Sequence, residues 1–166
     1  MVQRFCHVID TLNGWIGRVI SWFLIPLVLI GMTEVIARYV FKRPQVWSWE
    51  ISIQIMAVLV VLGGGWGLLK NWHVRIDILW ARLPLRARVM LDLITFPLFL
   101  FTVSIILWQS ASAALVSVQF RERFSSYFAS PIYPLKIIVA LGFFLMLLQG
   151  IVEFIRKLKT LKENRP

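Results

Sequence analysis

Ionisable side chains are sparse in this sequence, and several fall inside or beside apolar runs where they could do chemistry. Glu34 and Arg38 stand four residues apart, so on a helix they share a face and can pair. Arg88 and Asp92 repeat that spacing. Ionisable groups within membrane-length apolar segments are functional candidates by default. A pair that neutralises itself near the end of such a segment also has a plainer role, as a structural staple. Glu50 follows Trp47 and Trp49 at the start of another apolar run. A carboxylate there complements the helix dipole and the tryptophans anchor the run at an interface; contact with a partner explains the cluster equally well. His7 and His73 make a bis-histidine haem conceivable, and with it a haem-bearing membrane anchor subunit of a redox complex as the alternative function. Haem sites of that kind usually lie between facing helices, whereas these two residues flank apolar runs. The single Cys6 excludes an internal disulfide and gives no metal-ligand spacing, which leaves it a small apolar filler. No Ser-His-Asp set, Walker loop or dinucleotide fingerprint is present. The residues therefore predict no catalysis and no cofactor.

The elements that carry these residues are legible in the composition. Of 166 residues, 59% are hydrophobic and 16% charged, against about a quarter charged in a soluble domain. The net charge of +10 does not predict nucleic-acid binding, because the basic residues sit at the ends of apolar blocks rather than on one polar face. Four blocks approach the roughly 20 residues needed to cross a bilayer: about Val19–Val40, Ile51–Leu69, Met90–Val116 and Leu135–Ile155. Lipid offers no partner to a bare backbone, so each block is expected to be helical. Pro26 and Pro97 lie inside spans and predict kinks. Residues 1–15 hold only Arg4 as a fixed positive charge and no small-x-small site follows, so the first block is expected to be retained rather than cleaved. The sequence thus predicts an all-α membrane protein, one domain over 1–166, with four transmembrane helices plus amphipathic interfacial helical segments.

Two stretches carry the interfacial expectation. In 72–83, Trp72, Ile76, Leu79, Trp80 and Leu83 recur at helical spacing, with Arg75 and Arg82 elsewhere and Pro84 ending the pattern. Residues 5–16 repeat the device more weakly through Phe5, Ile9, Leu12 and Ile16; the competing reading for both is a membrane helix running on into the headgroups. The 18 Lys and Arg residues divide twelve to six between the two sides of a four-span chain. The richer side holds both termini and the loop between the second and third spans, which predicts cytoplasmic termini. Gly63, Gly64, Gly65 and Gly67 weaken the second helix, so close approach of another backbone is expected there, from this chain or from another. A solute pathway usually shows broken helices, midplane polar residues and inverted repeats. The centres of the second and fourth blocks are almost wholly apolar. The bundle reads as a scaffold.

The order of these motifs resembles a known family. Trp47-Ser48-Trp49-Glu50, an apolar helix with Gly63 and Gly64, and then His73-Val74-Arg75-Ile76-Asp77 are similar to the signature of DctQ-type subunits. These are the small membrane components of tripartite ATP-independent periplasmic (TRAP) transporters. Ser130-Pro131-Ile132-Tyr133-Pro134-Leu135-Lys136, followed by Gly142 and Leu147-Leu148-Gln149, is similar to the start of the last helix in one branch of that family, except that Tyr133 stands where a Trp is expected. The resemblance covers nearly the whole chain. It implies an inner-membrane protein in an obligate heterodimer with a large membrane subunit, which moves an organic anion by a sodium-driven elevator. It also implies a soluble periplasmic substrate-binding protein that delivers the anion, and contact with membrane lipids. Trp47, Trp49, Glu50, His73, Arg75, Asp77, Pro131, Pro134 and Lys136 match family motif positions. With Gly63 and Gly64 they are expected to shape the fold and the subunit contacts, while Glu34 and Arg38 form an intramembrane ion pair.

Overall fold

A computed structural model describes the backbone of residues 2–70 and 85–163, with side chains over 3–70 and 95–156. The expected amphipathic helix at 72–83, with His73, Arg75 and Asp77, lies outside the described residues, as do the side chains of Arg88 and Asp92. The described elements are five helices: α1 (Val2–Ser21), α2 (Leu24–Tyr39), α3 (Val46–Leu69), α4 (Leu85–Gln119) and α5 (Tyr133–Glu163). Among the described residues four stretches are long and apolar enough to cross a bilayer: Gln3–Tyr39, Val46–Leu69, Thr95–Gln119 and Tyr133–Arg156.

The first of these stretches contains a break that Pro26 explains. Proline has no N–H, so it cannot bond the carbonyl of Trp22 one turn back. Ile25 takes that carbonyl instead at 3.2 Å, while Trp22 and Phe23 bond back only three residues, to Val19 and Ile20. The ladder tightens for one turn and then resumes as α2. Pro97, by contrast, is carried inside a continuous α4.

The membrane-length stretch starts well before Val19, and α1 is not a separate segment lying apart from the bundle. Its buried line is Cys6, Ile9, Asn13, Gly17 and Ile20. Of the expected apolar stripe, Ile9 is buried and Ile16 half-buried, but Phe5 and Leu12 are exposed. The stripe is misplaced because α1 buries an amide and a glycine, which apolar periodicity cannot register.

Helix α5 is the hub. It packs against α3 and α4, α3 in turn packs against α1 and α2, and α1 reaches α5. Glycines set the closest approaches. A Cβ on Gly142 of α5 would sit 2.4 Å from Val61 Cγ1 and 3.2 Å from the Val61 carbonyl carbon on α3. A Cβ on Gly17 would sit 2.3 Å from the Trp66 ring, and one on Gly150 2.9 Å from Leu100. Of the glycines in α3, Gly65 meets Asn13, Gly64 meets Met146 and Gly63 meets Ile20, whereas Gly67 meets nothing within 4 Å. These neighbours belong to the same chain, and they are side chains. The backbone approach is made by Gly142. Beside Gly150, Phe96 of α4 stacks on Phe154 of α5 with ring centroids 5.6 Å apart.

Around this frame the large apolar side chains face outward, as Trp22 (71% exposed), Val60 (63%) and Phe101 (64%) show. That surface suits hydrocarbon, not water. Gly142→Val should overpack the α3–α5 contact and cost about 1–3 kcal/mol. Its thermal midpoint in detergent is expected to fall, while Gly31→Ala, with no atom within 4 Å of the new methyl, is expected to hold or gain. Equal midpoints for Gly142→Val and the parent chain would contradict the contact.

Candidate functional site

The polar side chains gather at the two ends of the bundle. One end carries the turn between α2 and α3 and the loop between α4 and α5, and is called the loop end here; the other is the terminal end.

At the loop end, Glu34 of α2 reaches the start of α3. Its Oε2 accepts from the Gln45 N–H at 3.0 Å and the Ser48 hydroxyl at 2.7 Å. Its Oε1 accepts from Arg38 Nη2 at 2.6 Å. Gln45 is the N-cap of α3 and its own side chain does not cap, so the carboxylate of the preceding helix satisfies that end. Arg38 offsets the charge.

Glu50, one turn into α3, is 2% exposed. It faces the α4–α5 loop rather than the α3 terminus. Its Oε1 accepts from the Ser126 hydroxyl, and its Oε2 from the Ser130 N–H at 3.1 Å and the Ser130 hydroxyl at 2.5 Å. Gln54, one turn further along α3, donates to Ser130 Oγ at 2.9 Å. Four donors in series or parallel therefore hold one buried carboxylate, which is what burying such a charge requires.

The loop itself is ordered by its backbone. After Gln119 the chain closes α4 with the Arg121 N–H on the Val118 carbonyl and the Glu122 N–H on the Ser117 carbonyl, with Arg121 at φ 46°. That is a Schellman close built without glycine. Arg123 then pairs with Pro131 in an antiparallel bridge. Pro134 sits in the first turn of α5, where a missing N–H costs nothing. Lys136 Nζ meets Glu122 Oε2 at 2.5 Å. Donation from this ammonium holds the Glu122 carboxyl below its ordinary range. Trp49 is 70% exposed and Trp47 36%, so both are free to lie in an interface layer at this level.

At the terminal end an amide chain links α1 to α5. Asn13 Nδ2 donates to Gln149 Oε1 at 2.8 Å, and Gln149 Nε2 donates to Asp10 Oδ1 at 3.0 Å. Arg156 pairs with Asp10 Oδ2 and, at 2.9 Å, with Glu153. The direction of this chain is fixed by Asp10: a carboxylate only accepts, so Gln149 must turn its NH₂ that way and Asn13 must donate in turn. Asn13 Oδ1 is left without a conventional partner. It lies 2.5 Å from where a Cβ on Gly65 would stand, so it rests against the Gly65 methylene as a weak C–H···O contact. Only glycine fits at 65.

The sequence singled out Glu34, Arg38, Glu50, Pro131, Pro134 and Lys136, and these lie together at the loop end. It did not single out Ser126, Ser130 and Glu122 as the groups that receive Glu50 and Lys136, nor the Asp10–Gln149–Asn13 chain. Asn13 and Gln149, as amides in otherwise apolar stretches, were the available signal. His7 is exposed with Thr11 Oγ1 at 3.4 Å from Nδ1. Among the described residues no group of three or more His, Cys, Asp or Glu is placed to hold a metal ion.

Comparison with known proteins adds a family. Residues 27–160 match the model for the DctQ component of tripartite ATP-independent periplasmic transporters. The chain is also similar to the C4-dicarboxylate TRAP transporter small permease protein DctQ of Vibrio cholerae serotype O1 (strain ATCC 39315 / El Tor Inaba N16961), at 28% identity over 75 residues. That match covers 45% of this chain and 32% of the relative's length.

Two outcomes test the loop end. Glu50→Ala leaves the Ser130 N–H and both serine hydroxyls without their acceptor, at a cost of about 1–3 kcal/mol for a buried donor. Trypsin should then cut at Arg121 or Arg123 several-fold faster; an unchanged rate would show that Glu50 does not hold the loop. Lys136 acts differently with pH. A lowered folded pKa stabilises above the unfolded value of about 4.5 and is lost as pH falls through the lowered value. Glu122→Gln should therefore lower the thermal midpoint at pH 7, with the gap narrowing below about pH 4.5. A gap independent of pH would contradict the ion pair.

Proposed function

The chain belongs to the DctQ components of tripartite ATP-independent periplasmic transporters, and from that premise we propose that it is the non-catalytic small subunit that braces the large membrane subunit. It is a multi-pass membrane protein and a transporter component, not an enzyme. In the proposed role the large subunit moves an organic anion by an elevator motion coupled to a sodium gradient. A periplasmic binding protein delivers the anion. This chain enlarges the static part that stays fixed in the inner membrane, as an obligate partner of the large subunit. Both termini face the cytoplasm, in keeping with the twelve-to-six division of basic residues. The motif residues Trp47, Trp49, Glu50, Gly63, Gly64, His73, Arg75, Asp77, Pro131, Pro134 and Lys136 act by shaping the fold and the subunit contacts.

One observation carries the reading. The buried carboxylate and amides bond within the chain at its two ends, and between those ends α3 and α5 touch through Gly142 and Val61. A solute path needs polar groups left free at mid-depth and room beside them. The space between these two helices offers neither.

Proteoliposomes holding this chain alone, under an inward sodium gradient, are expected to accumulate no organic anion even with binding protein outside. Uptake should require the large subunit as well. Robust accumulation by the chain alone would refute the bracing role.

A further inference from the structure

Gln109 is a polar residue of α4 to which the described residues offer no reply. It is exposed, and its amide makes no hydrogen bond among the described residues. Two other polar residues of the helix solve the same problem internally: the Thr102 and Ser104 hydroxyls return to the Leu98 and Leu100 carbonyls. Gln109 lies ten residues, about 15 Å at 1.5 Å per residue, inside the loop end of its span at Gln119. That is the midplane of a hydrocarbon layer about 30 Å thick. Headgroups and water do not reach an amide there, and lipid tails cannot bond it, so exposure to lipid is strongly unfavourable.

The surroundings show what could cover it. Among the described side chains of α4, Val103, Ala114 and Ser117 are the buried ones; Gln109 points roughly 110° away from them on a helix turning about 100° per residue. A groove of about 550 Å³ runs from Gln109, Ser112 and Ala113 past Val116 to Glu122 and Lys136. It follows α4 for about three turns toward the loop end. Its floor at Ser112 and Ala113 is low enough for a neighbouring helix to lie close. A groove takes a ridge. A second copy of this chain, meeting it about a two-fold axis, would set groove against groove. A helix from a different chain supplies the ridge.

We propose that this face of α4 seats one transmembrane helix of the large membrane subunit, which presents a hydrogen-bonding side chain or a bare backbone carbonyl to Gln109 at the midplane. The inference rests on the bracing role and adds the face and the contact that serve it. Glu122 and Lys136, already paired, close the loop end of the seat without asking for a partner charge.

The test uses the co-expressed complex. Benzoylphenylalanine replaces Ser112 in one variant and Met56 in another; Met56 is exposed at similar depth on α3. Irradiated membranes are expected to give an adduct with the large subunit from position 112 and not from 56. In parallel, Gln109→Leu should cut the large subunit recovered with the tagged chain about three- to tenfold. Gln109→Asn should lose less, and the thermal midpoint of the isolated chain should not fall in either. An adduct only from position 56, an adduct of twice this chain's mass, labelled lipid alone from position 112, or full recovery with Gln109→Leu would each overturn the proposed seat while leaving the bracing role standing. Failure of the unsubstituted chain to recover any large subunit would overturn both.

Discussion

Hydrocarbon gives a polar group nothing to bond to, and the internal order of this protein follows from that constraint. Among the described residues the most enclosed large side chains are Gln149, Glu50, Val152 and Asn13, followed by Ser48 and Ser117. In a water-soluble domain the same volume would be filled by Leu, Ile and Phe. Here those residues face outward, because lipid accepts them as readily as a protein interior does. Helix association in such a solvent draws on close packing and interhelical hydrogen bonds, each worth about 0.6–2 kcal/mol. No single bond of that size holds a bundle, and the bonds accordingly come in clusters. Glu34 and Glu50 organise the loop end, and Asp10, Gln149 and Asn13 the terminal end.

The same constraint explains what could be read from the sequence. Four apolar blocks predict four crossing helices, since a bilayer admits few alternatives, and Pro26 announces the break at Trp22 and Phe23. The start of the first membrane-length stretch was not legible. Phe5, Ile9, Leu12 and Ile16 make a convincing apolar stripe, yet the packed line runs through Cys6, Ile9, Asn13, Gly17 and Ile20. In lipid, apolarity marks the outside as often as the inside, so a stripe no longer tells which face is packed. Glu50 was legible as an unusual carboxylate at a helix start. Its acceptor role was not, because Ser126 and Ser130 lie about 80 positions away and no spacing rule connects them. The glycine cluster of α3 drew the eye from Gly17, Gly142 and Gly150. Those isolated glycines make closer contacts than Gly63 or Gly67.

The contacts also define how the halves of the molecule are joined. α1 and α2 follow α3, while α4 lies on α5, so α5 and the loop before it carry the connection. Three ties span that join at different depths. Glu50 fastens α3 to the α4–α5 loop, Gly142 lets α5 touch Val61 at the centre, and Gln149 fastens α5 to α1. A thirteen-residue connection left to itself would be costly to order. Here it is closed by a Schellman turn, a bridge, a buried carboxylate and an ion pair.

Ties at both ends and the middle make bending difficult, because any hinge between the halves must break one polar cluster whichever way it opens. Breaking a cluster exposes a carboxylate or an amide to hydrocarbon, so the restoring force grows where water is excluded. That stiffness is what the proposed bracing role needs: an element that holds still while a neighbour moves must resist shear, not bind or turn over a substrate. A mobile component would show the opposite pattern, with broken helices and polar groups exchanging partners at mid-depth. Among the described residues Glu50 is committed to the α4–α5 loop and Gln149 to Asp10 and Asn13, while Asn13 Oδ1, Gln45 Oε1 and Ser117 Oγ are buried without a conventional partner. On the outside, the Gln109 amide has no hydrogen bond among the described residues, and on the proposed seat another protein supplies it.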